Sequence, residues 1–468
     1  MSPDQLELLL GGQSESESGK ADASWALELQ EAPNHEPCGR KEKRRNARER
    51  WPEDLPLVEQ VLEPEEVVAD PGAWRRIGEE VSEQLDYEPG RFLRRRLVRP
   101  KYVPHAGIDV VPVIAALPAS LQERCVAAPG LIAAIIVAKY CDHLPLYRQE
   151  RIFKSRHDVL LPRQSQARWI ELAADWLRPV YDAIGAEILA GQYVQVDETP
   201  IRYLAPGNGA TKLGYLWATN RPRGDVIYRW ETSRAAKCLE NVIPVDFSGT
   251  IQCDGYAAYP AFARTHPGEL TLVGCWAHAR RGFHEAREHA PQQAGWILRQ
   301  IAALYRTEAR LRERSASPKL RAVARSHQSA PIVQRIKNVL LVWKRAHRFL
   351  PKSSMGTAID YALSQMPHLQ AYLHDGRIEI DNNLVENAIR PTAIGKKNWL
   401  FIGSADAGQR SAILFTLIES CRKRGINPFD YLRDALTRLP SMTNWQIKDI
   451  TPEAWADARR PPSLKRAA

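Results

Sequence analysis

The sequence predicts an α/β protein in which a mixed sheet is interrupted by a long helical segment. Short runs rich in Val, Ile, Tyr and Trp, separated by turn signals, occupy residues 191–285 and indicate strands with a crossover helix. Residues 283–374 then show helical periodicity almost throughout, before the chain returns to the α/β pattern at Asp381. A helical region with tight breaks, residues 129–190, precedes the strands.

Length and charge limit the class of protein. At 468 residues the chain is long enough for about three domains. A hydrophobic content of 44% and a charged content of 26% are ordinary for a globular protein. The net charge of +10 at pH 7 favours a polyanionic partner or an acidic membrane surface.

The sequence also indicates the compartment. No apolar run approaches the roughly 18 residues of a transmembrane helix, and the N-terminus lacks the cationic segment of a secretory signal. The seven cysteines form neither a C-x-x-C pair nor a regular disulfide framework. A reducing, cytosolic compartment is therefore expected.

The first 128 residues are predicted in two parts. Residues 1–50 are polar and expected to be disordered, apart from a short helix at Gln5–Leu10. Their basic run Arg40–Arg50 is either a DNA-phosphate contact or a solvated linker. Residues 51–128 form a small basic domain, in which RFLRRRLVRPKYV alternates like a strand with one cationic face. The cations of this cluster are Arg91, Arg94, Arg95, Arg96, Arg99 and Lys101.

Residues 129–190 are predicted to be helical because their apolar residues follow the spacing of a buried helical face. Breaks at Asp142–Pro145 and Leu160–Pro162 divide the region into short helices, as in a helix-turn-helix unit. The first residues of the recognition helix would then reach DNA bases. These residues are Arg163, Gln164, Ser165 and Arg168. The alternative is a helical bundle with an ordinary polar face.

The later elements are predicted from the same patterns. The strands are Tyr193–Ile201, Tyr215–Asn220, Val226–Thr232, Thr250–Cys253 and Leu270–Cys275, with a helix at Ala235–Val242. The helical segment includes Trp296–Arg314 and Pro331–Phe349. Amphipathic helices are expected at Ser411–Arg424 and Pro428–Leu439, followed by a tail.

Three acids are the candidate chemical groups. Asp197 ends the strand-like run VQVDETP, Asp254 ends TIQCDGY, and Glu386 begins an apolar-patterned helix. Acids at the carboxyl ends of buried strands point to the edge where ligands bind in open α/β sheets. Oxygen ligands from three elements suit Mg²⁺, and two such ions serve in-line phosphoryl transfer. The cations after Glu386, which suit a polyanionic substrate, are Arg390, Lys396 and Lys397.

Each of these acids also has a purely structural interpretation. Aspartates such as Asp197 and Asp254 often form strand-to-loop turns. Asn383 with Glu386 matches a helix capping box. Glu198 follows Asp197 directly, so strand alternation allows only one of the two to face the site.

Cys275 and His278 form a C-x-x-H pair at the end of a predicted strand. Two ligands do not make a structural zinc site, which needs four. His278 either positions a phosphate or the shell of a metal ion, or caps a helix beside a packed cysteine. Arg280 and Arg281 add positive charge nearby.

From about Ile77 to Leu439 the chain resembles the large transposase of the IS66 family of bacterial insertion sequences. The matching stretches include VDETP, QCDGYAAY, GCWAHARRGF, DGRIEIDNNLVENAIRPTAIGKKNWLFIGS and LIESCRKRGINPFDYL. Such enzymes are DDE transposases with a ribonuclease H-like core. The resemblance implies that Asp197, Asp254 and Glu386 bind two Mg²⁺ ions, or Mn²⁺ as a substitute, and carry out catalysis. It gives Cys275 and His278 a supporting place in that core.

Relatives in this family usually carry a zinc-ribbon-like module in the N-terminal third, but this chain has no cysteine between Asp70 and Gly107. No structural zinc is therefore expected.

Pattern and resemblance together predict the following order of regions: 1–50 disordered, 51–128 basic and lacking the zinc cysteines, 129–190 helix-turn-helix-like, 191–285 first part of the core, 286–375 helical insertion, 376–405 glutamate segment, 406–440 C-terminal helices and 441–468 tail.

The sequence therefore predicts a cytoplasmic, nucleoid-associated transposase that binds the terminal inverted repeats of its element. It would catalyse Mg-dependent strand cleavage and transfer. Expected partners are double-stranded DNA at element ends and target, further copies of this chain and small accessory proteins of the element, with no membrane. The competing hypotheses are a decayed, non-catalytic copy that binds element ends and a ribonuclease H-like nuclease that cuts without joining.

Overall fold

The computed structural model describes residues 90, 92, 101–102, 113–114, 117–123, 125–205 and 210–460. The chain divides into two units, Met1–Pro89 and Gly90–Ala468, and every described residue belongs to the second. The predictions for 1–50 and for most of 51–128 lie outside the described residues, and of the predicted cationic strand only Phe92 and Lys101–Tyr102 are described. Within that region strands β1 (Lys101–Tyr102) and β2 (Val113–Ile114) pair antiparallel.

Three helices precede the main sheet: α1 (Pro129–Tyr140), α2 (Leu146–His157) and α3 (Arg163–Leu189). Proline starts α1 within its first turn, and Asp158 ends α2 in the left-handed conformation with φ 54°. The predicted helices and both predicted breaks are present. The interpretation of this unit as a helix-turn-helix stays a prediction.

One five-stranded mixed sheet forms the centre of the unit. Its strands are β3 (Tyr193–Leu204), β4 (Thr211–Asn220), β5 (Val226–Glu231), β6 (Gly249–Gln252) and β7 (Leu270–Val273). The order across the sheet is β5-β4-β3-β6-β7. The first three strands pair antiparallel, while β6 and β7 add in parallel on the other side of β3. The predicted mixed α/β sheet is thus confirmed.

Short helices connect the strands. The predicted helix before β6 is a 3₁₀ turn, Ala236–Cys238, that continues as α4 (Leu239–Val242). Helix α5 (Ala258–Thr265) links β6 to β7. Both are the crossover segments that parallel neighbours require.

A block of helices follows β7 and forms a second hydrophobic core. It comprises α6 (Trp276–Glu285), α7 (Pro291–Glu313), α8 (Pro318–Ala324), α9 (Ala330–Arg345), α10 (Ser354–Ser364) and α11 (Met366–Ala371). The helical segment is confirmed, but it begins at Trp276 rather than at Phe283. The tryptophan is 1% exposed, and its indole nitrogen donates to the carbonyl oxygen of Leu369 at 2.9 Å.

The chain ends its described part in four helices: α12 (Asn383–Trp399), α13 (Ala405–Lys423), α14 (Pro428–Arg438) and α15 (Pro452–Arg459). Helix α13 is buried on nearly every side because it packs between β5 and α3. The region predicted as a tail contains α15, and Ile450 just before it is fully buried against Tyr431. No helix among the described residues is long and apolar enough to cross a bilayer.

A buried ion network joins the helical insertion to the segment that leads into α12. The guanidinium of Arg325 donates to both carboxylate oxygens of Glu308, at 2.7 and 2.8 Å, and both residues are fully buried. Arg325 also donates to the carbonyl oxygens of Tyr372, Asp375 and Ile378. These contacts fix the end of the insertion.

Arg321 extends this network to Glu379. It donates to the two carboxylate oxygens of Glu379 at 3.0 and 3.1 Å and to Glu308 at 3.1 Å. All of these charges are paired, which is the condition under which burial of charge is tolerated. The insertion therefore holds Glu379, seven residues before Glu386.

We predict that Arg325→Met destabilises the protein by at least about 3 kcal/mol, because it leaves a buried carboxylate short of a partner and removes the arginine donor from three carbonyl oxygens. Urea unfolding followed by tryptophan fluorescence measures the change. Arg377→Met is the matched control, because Arg377 is exposed and pairs with Asp375 at the surface. The control should cost no more than about 1 kcal/mol. Equal effects of the two substitutions would contradict the assigned role of the network.

Candidate active site at the carboxyl edge of the mixed sheet

Strands β3 and β6 pair in parallel, which places the two predicted site aspartates, Asp197 and Asp254, at the same height along the sheet. The last paired residues are Gln195 and Gln252. Asp197 and Asp254 each follow two positions later, just past the end of this parallel ladder. Because partners in a parallel pair lie side by side, the two carboxyl groups emerge at the same edge.

The prediction that Asp197 ends its strand is wrong. Strand β3 continues to Leu204 because it stays paired with β4, from Gln195 through Leu204. Only the pairing with β6 stops at Gln195. At Asp197, β3 is therefore still paired with β4 on one side, while on the other side its pairing with β6 has ended. The predicted β6 end was also one residue too long, since the strand stops at Gln252.

Asp197 and Glu198 point to opposite faces of β3, as strand alternation requires. The Glu198 carboxylate is buried, where it accepts hydrogen bonds from Arg234 and, at 3.1 Å, from the hydroxyl of Tyr259 on α5. On the Asp197 face, Thr199 is approached by Lys396 of α12, with Nζ 3.4 Å from Oγ1. Asp197 thus lies on the side covered by α12, and Glu198 on the other.

Glu386 lies in the first turn of α12, which packs over β3 and β4. Its carboxylate Oε1 is 3.7 Å from Nδ1 of His278 on α6. The helix N-cap is Asn382, and its side chain makes no capping hydrogen bond. The alternative interpretation of Asn383 and Glu386 as a capping box is therefore not realised in the structure.

The three acids share one electrostatic environment. Burial, and then the negative charges of Glu198, Glu386 and Asp254, hold the pKa of Asp197 well above its usual range. Such crowding of like charges favours the binding of cations, and the donor set is composed of oxygens that Mg²⁺ accepts.

Asp254 is also a turn residue, as its structural interpretation proposed. Its Oδ1 accepts a hydrogen bond from the backbone N–H of Tyr256 at 2.9 Å. That bond uses one carboxylate oxygen and fixes the side chain. The other oxygen, Oδ2, is 3.9 Å from the guanidinium of Arg234. Turn formation and participation in the site are therefore compatible.

Arg234 is a site residue that the sequence patterns did not identify. It lies in the loop after β5, pairs with Glu198, approaches Asp254 and stacks over the ring of Tyr256 at 3.8 Å. Arg234 thus contacts two acids of this edge. A lone arginine in a loop carries no spacing signal, so contact across the fold alone reveals it.

Two buried glutamines hold the segment that carries the third acid. Gln195 donates to Gln252 at 2.8 Å and to the carbonyl oxygen of Asp381 at 2.9 Å. Gln252 donates to the carbonyl oxygen of Glu379 at 2.9 Å. Both side chains are fully buried, so these bonds form in a medium where an unpaired amide is costly. A sequence signal existed: both strands carry Gln two residues before Asp.

Asn382 and Cys275 complete this anchorage. The Asn382 side chain donates to the carbonyl oxygen of Val196 at 3.3 Å, next to Asp197. The backbone N–H of Asn382 donates to Sγ of Cys275 at 3.3 Å. The C-x-x-H pair thus supports the start of α12 from the adjacent helix α6, whose N-cap is Cys275.

The predicted DNA contacts occupy two different places. Arg163, Gln164 and Arg168 are exposed and Ser165 is half-buried, all in the first two turns of α3. On α12, Lys397 is exposed and Arg390 is half-buried. Lys396 also donates to the carbonyl oxygen of Pro200 at 3.3 Å, so this lysine contacts β3 beyond Asp197. The α3 residues lie on a separate element.

Comparison with known proteins identifies similar sequences. The family model described as "Transposase IS66 family" matches residues 124–410, and the model described as "IS66 C-terminal element" matches residues 416–452. The uncharacterized protein y4qI of Sinorhizobium fredii (strain NBRC 101917 / NGR234) is 38% identical over 413 residues, which cover 85% of this chain and 74% of that protein. The uncharacterized protein y4jD of the same organism is 35% identical over 425 residues, covering 86% and 81%.

We predict that Asp197→Asn stabilises the metal-free protein at pH 7, by on the order of 1 kcal/mol. Because the pKa of Asp197 is raised in the folded protein, the unfolded chain releases this proton at a lower pH than the folded protein does. Ionisation of Asp197 therefore lowers the free energy of unfolding of the native protein as pH rises. The difference in stability between the variant and the native protein should vanish below about pH 4, where the carboxyl group is protonated in both states. Denaturant unfolding at both pH values measures it, with the exposed Asp246→Asn as the matched control. A variant less stable than the native protein at pH 7 would contradict this electrostatic account.

Proposed function

The chain belongs to the IS66 transposase family, and from that premise we propose that it cuts and joins DNA at the ends of an insertion sequence. The observation that carries this proposal is geometric: Asp197 and Asp254 each lie two residues past the end of the parallel β3–β6 ladder, and Glu386 lies in the first turn of the helix that packs over β3 and β4. A pocket that concentrates carboxylates at a sheet edge suits divalent cations and a phosphodiester substrate.

We further propose that the core is ribonuclease H-like. The sheet order, with three antiparallel strands followed by two parallel ones, supports this proposal. So does the position of the third acid, on a helix that packs across β3 and β4 after a long helical insertion. The buried ion network and Gln252 anchor the insertion to this core through Glu379.

In the proposed mechanism, Asp197, Asp254 and Glu386 are the residues that would hold Mg²⁺ at the sheet edge. Two such ions would supply the Lewis-acid chemistry of in-line phosphoryl transfer. Arg234 keeps Glu198 neutralised and limits the motion of Asp254. Lys396 places positive charge beside β3, where the DNA backbone would lie.

The proposed DNA-binding unit is the three-helix region before the sheet. The exposed side chains in the first turns of α3 support contact with DNA by Arg163, Gln164, Ser165 and Arg168. The formal charge of +10 adds a general attraction to phosphates. Assembly into a homo-oligomer on element ends, with accessory proteins of the element, is also a proposal.

We predict that Asp254→Asn and Glu386→Gln each lower Mg-dependent strand cleavage by at least about a hundredfold, because each removes a charged oxygen ligand. The assay uses labelled DNA carrying the element ends, with joined products separated from cut ones. Glu285→Gln, an exposed acid on α6, is the matched control and should retain activity. Cleavage by Glu386→Gln at the native rate would exclude the assigned role.

The same assay separates the competing hypotheses. Specific binding of element ends by the native protein without any metal-dependent cleavage would favour a decayed copy that only binds DNA. Cleavage without joined products would favour a nuclease.

We predict that replacing Arg163 and Arg168 together by alanine weakens binding to element ends and reduces the slope of log K against log salt by about 0.9 for each phosphate that the variant no longer neutralises. Fluorescence anisotropy across a salt series gives both quantities. The control is Arg348→Ala, which removes an exposed charge from the helical insertion. An unchanged slope with weaker, less selective binding would assign these residues to base edges instead.

A further inference from the structure

Cys275, His278 and Glu386 place three different metal-ligating atoms together. Cys275 is the N-cap of α6, His278 lies one turn later, and Glu386 is in the first turn of α12. One ligand atom from each lies within 4.8 Å of the other two. Two helix starts thus converge on a cluster of sulfur, nitrogen and oxygen, whereas the acid edge itself offers oxygens alone.

The nitrogen and the oxygen of this cluster lack hydrogen-bond partners. Nδ1 of His278 and Oε1 of Glu386 are both inaccessible to solvent and neither is satisfied. Their separation of 3.7 Å is too long for a hydrogen bond. Two atoms that each lie about 2.1 Å from one metal ion can be at most about 4.2 Å apart. The observed separation therefore suits two ligands of a single ion.

The sulfur of Cys275 is the third atom of the cluster, and a neighbouring segment holds it in place. Sγ of Cys275 accepts a hydrogen bond from the backbone N–H of Asn382 at 3.3 Å. Cys275 is 1% exposed, so its sulfur is shielded from solvent within the cluster. Borderline-soft divalent ions bind cysteine as the thiolate, and their binding releases the thiol proton.

We propose that Cys275, His278 and Glu386 form a binding site for a borderline-soft divalent ion of the Zn²⁺ or Co²⁺ type. Sulfur and imidazole ligands favour such ions over Mg²⁺, which takes oxygen. The site uses the acid that the proposed reaction needs, so an ion held here withdraws Glu386 from Asp197 and Asp254. The consequence, which rests on the proposed function, is that Zn²⁺ inhibits strand cleavage.

The first experiment titrates Co²⁺ into the metal-free full-length protein without DNA. We expect one equivalent to bind with the near-ultraviolet charge-transfer band of a cobalt–thiolate bond. Cys275→Ser should lose this band, and His278→Asn should bind Co²⁺ at least about tenfold more weakly. Cys141→Ser, which changes a half-buried cysteine elsewhere, should keep the band. Circular dichroism checks that each variant is folded.

The proposal is overturned if the band persists in Cys275→Ser or if His278→Asn binds Co²⁺ as the native protein does. It is also overturned if Asp254→Asn removes the band, because Asp254 is not among the three ligands. Should Cys275→Ser fail to fold, the affinity change of His278→Asn and of Glu386→Gln decides the outcome.

A second experiment measures the zinc concentration that halves Mg-dependent cleavage, relative to the zinc-free rate of each protein. We expect Cys275→Ser to need at least about tenfold more Zn²⁺ than the native protein. Equal zinc sensitivity would overturn the inhibitory role. The two proposals can be refuted independently. A cobalt–thiolate band in a protein that never cuts DNA refutes the proposed function. Cleavage of DNA by a protein that shows no such band refutes the metal site.

Discussion

The hydrogen bond between Gln195 and Gln252 is the constraint on which the arrangement of the acids depends. It joins β3 to β6 at the last pair of their parallel ladder, two residues before each aspartate. The same two amides hold the carbonyl oxygens of Asp381 and Glu379, so the segment before Glu386 is set by the strands that carry Asp197 and Asp254. One buried polar contact thereby coordinates three distant parts of the chain.

The negative charge gathered by this arrangement lowers the stability of the folded protein. The fold gathers negative charges around Asp197, where burial already disfavours ionisation. Elsewhere in the same unit buried charges are neutralised, as Glu308 is by two arginines. Glu379 and Glu386 lie close together along the chain, yet Glu379 is paired with Arg321, whereas the charge of Glu386 adds to those that raise the pKa of Asp197.

Much of the fold follows from local patterns. The strands, the helical insertion and the helices after Glu386 were predictable because their side chains repeat with the period of their secondary structure. The full length of β3 was not, since pairing with β4 carries the strand beyond the predicted end at Ile201 to Leu204. The placement of Asp197 and Asp254 at one edge of the sheet was predictable from their positions after the two strands, and the repeated Q-x-D could have been noticed. Arg234 was not, because its partners come from β3 and the β6–α5 loop.

The helical insertion is fastened where it rejoins the sheet. Arg321 and Arg325 clamp residues 372–379, while Trp276 fixes the other end against Leu369. The far turn, around the exposed His347, takes no part in either attachment. Lengthening the chain there leaves the spacing of the carboxylates intact, since the entropic cost of loop closure grows only slowly with length. That turn is the natural point at which to splice a fluorescent or DNA-targeting module into the polypeptide.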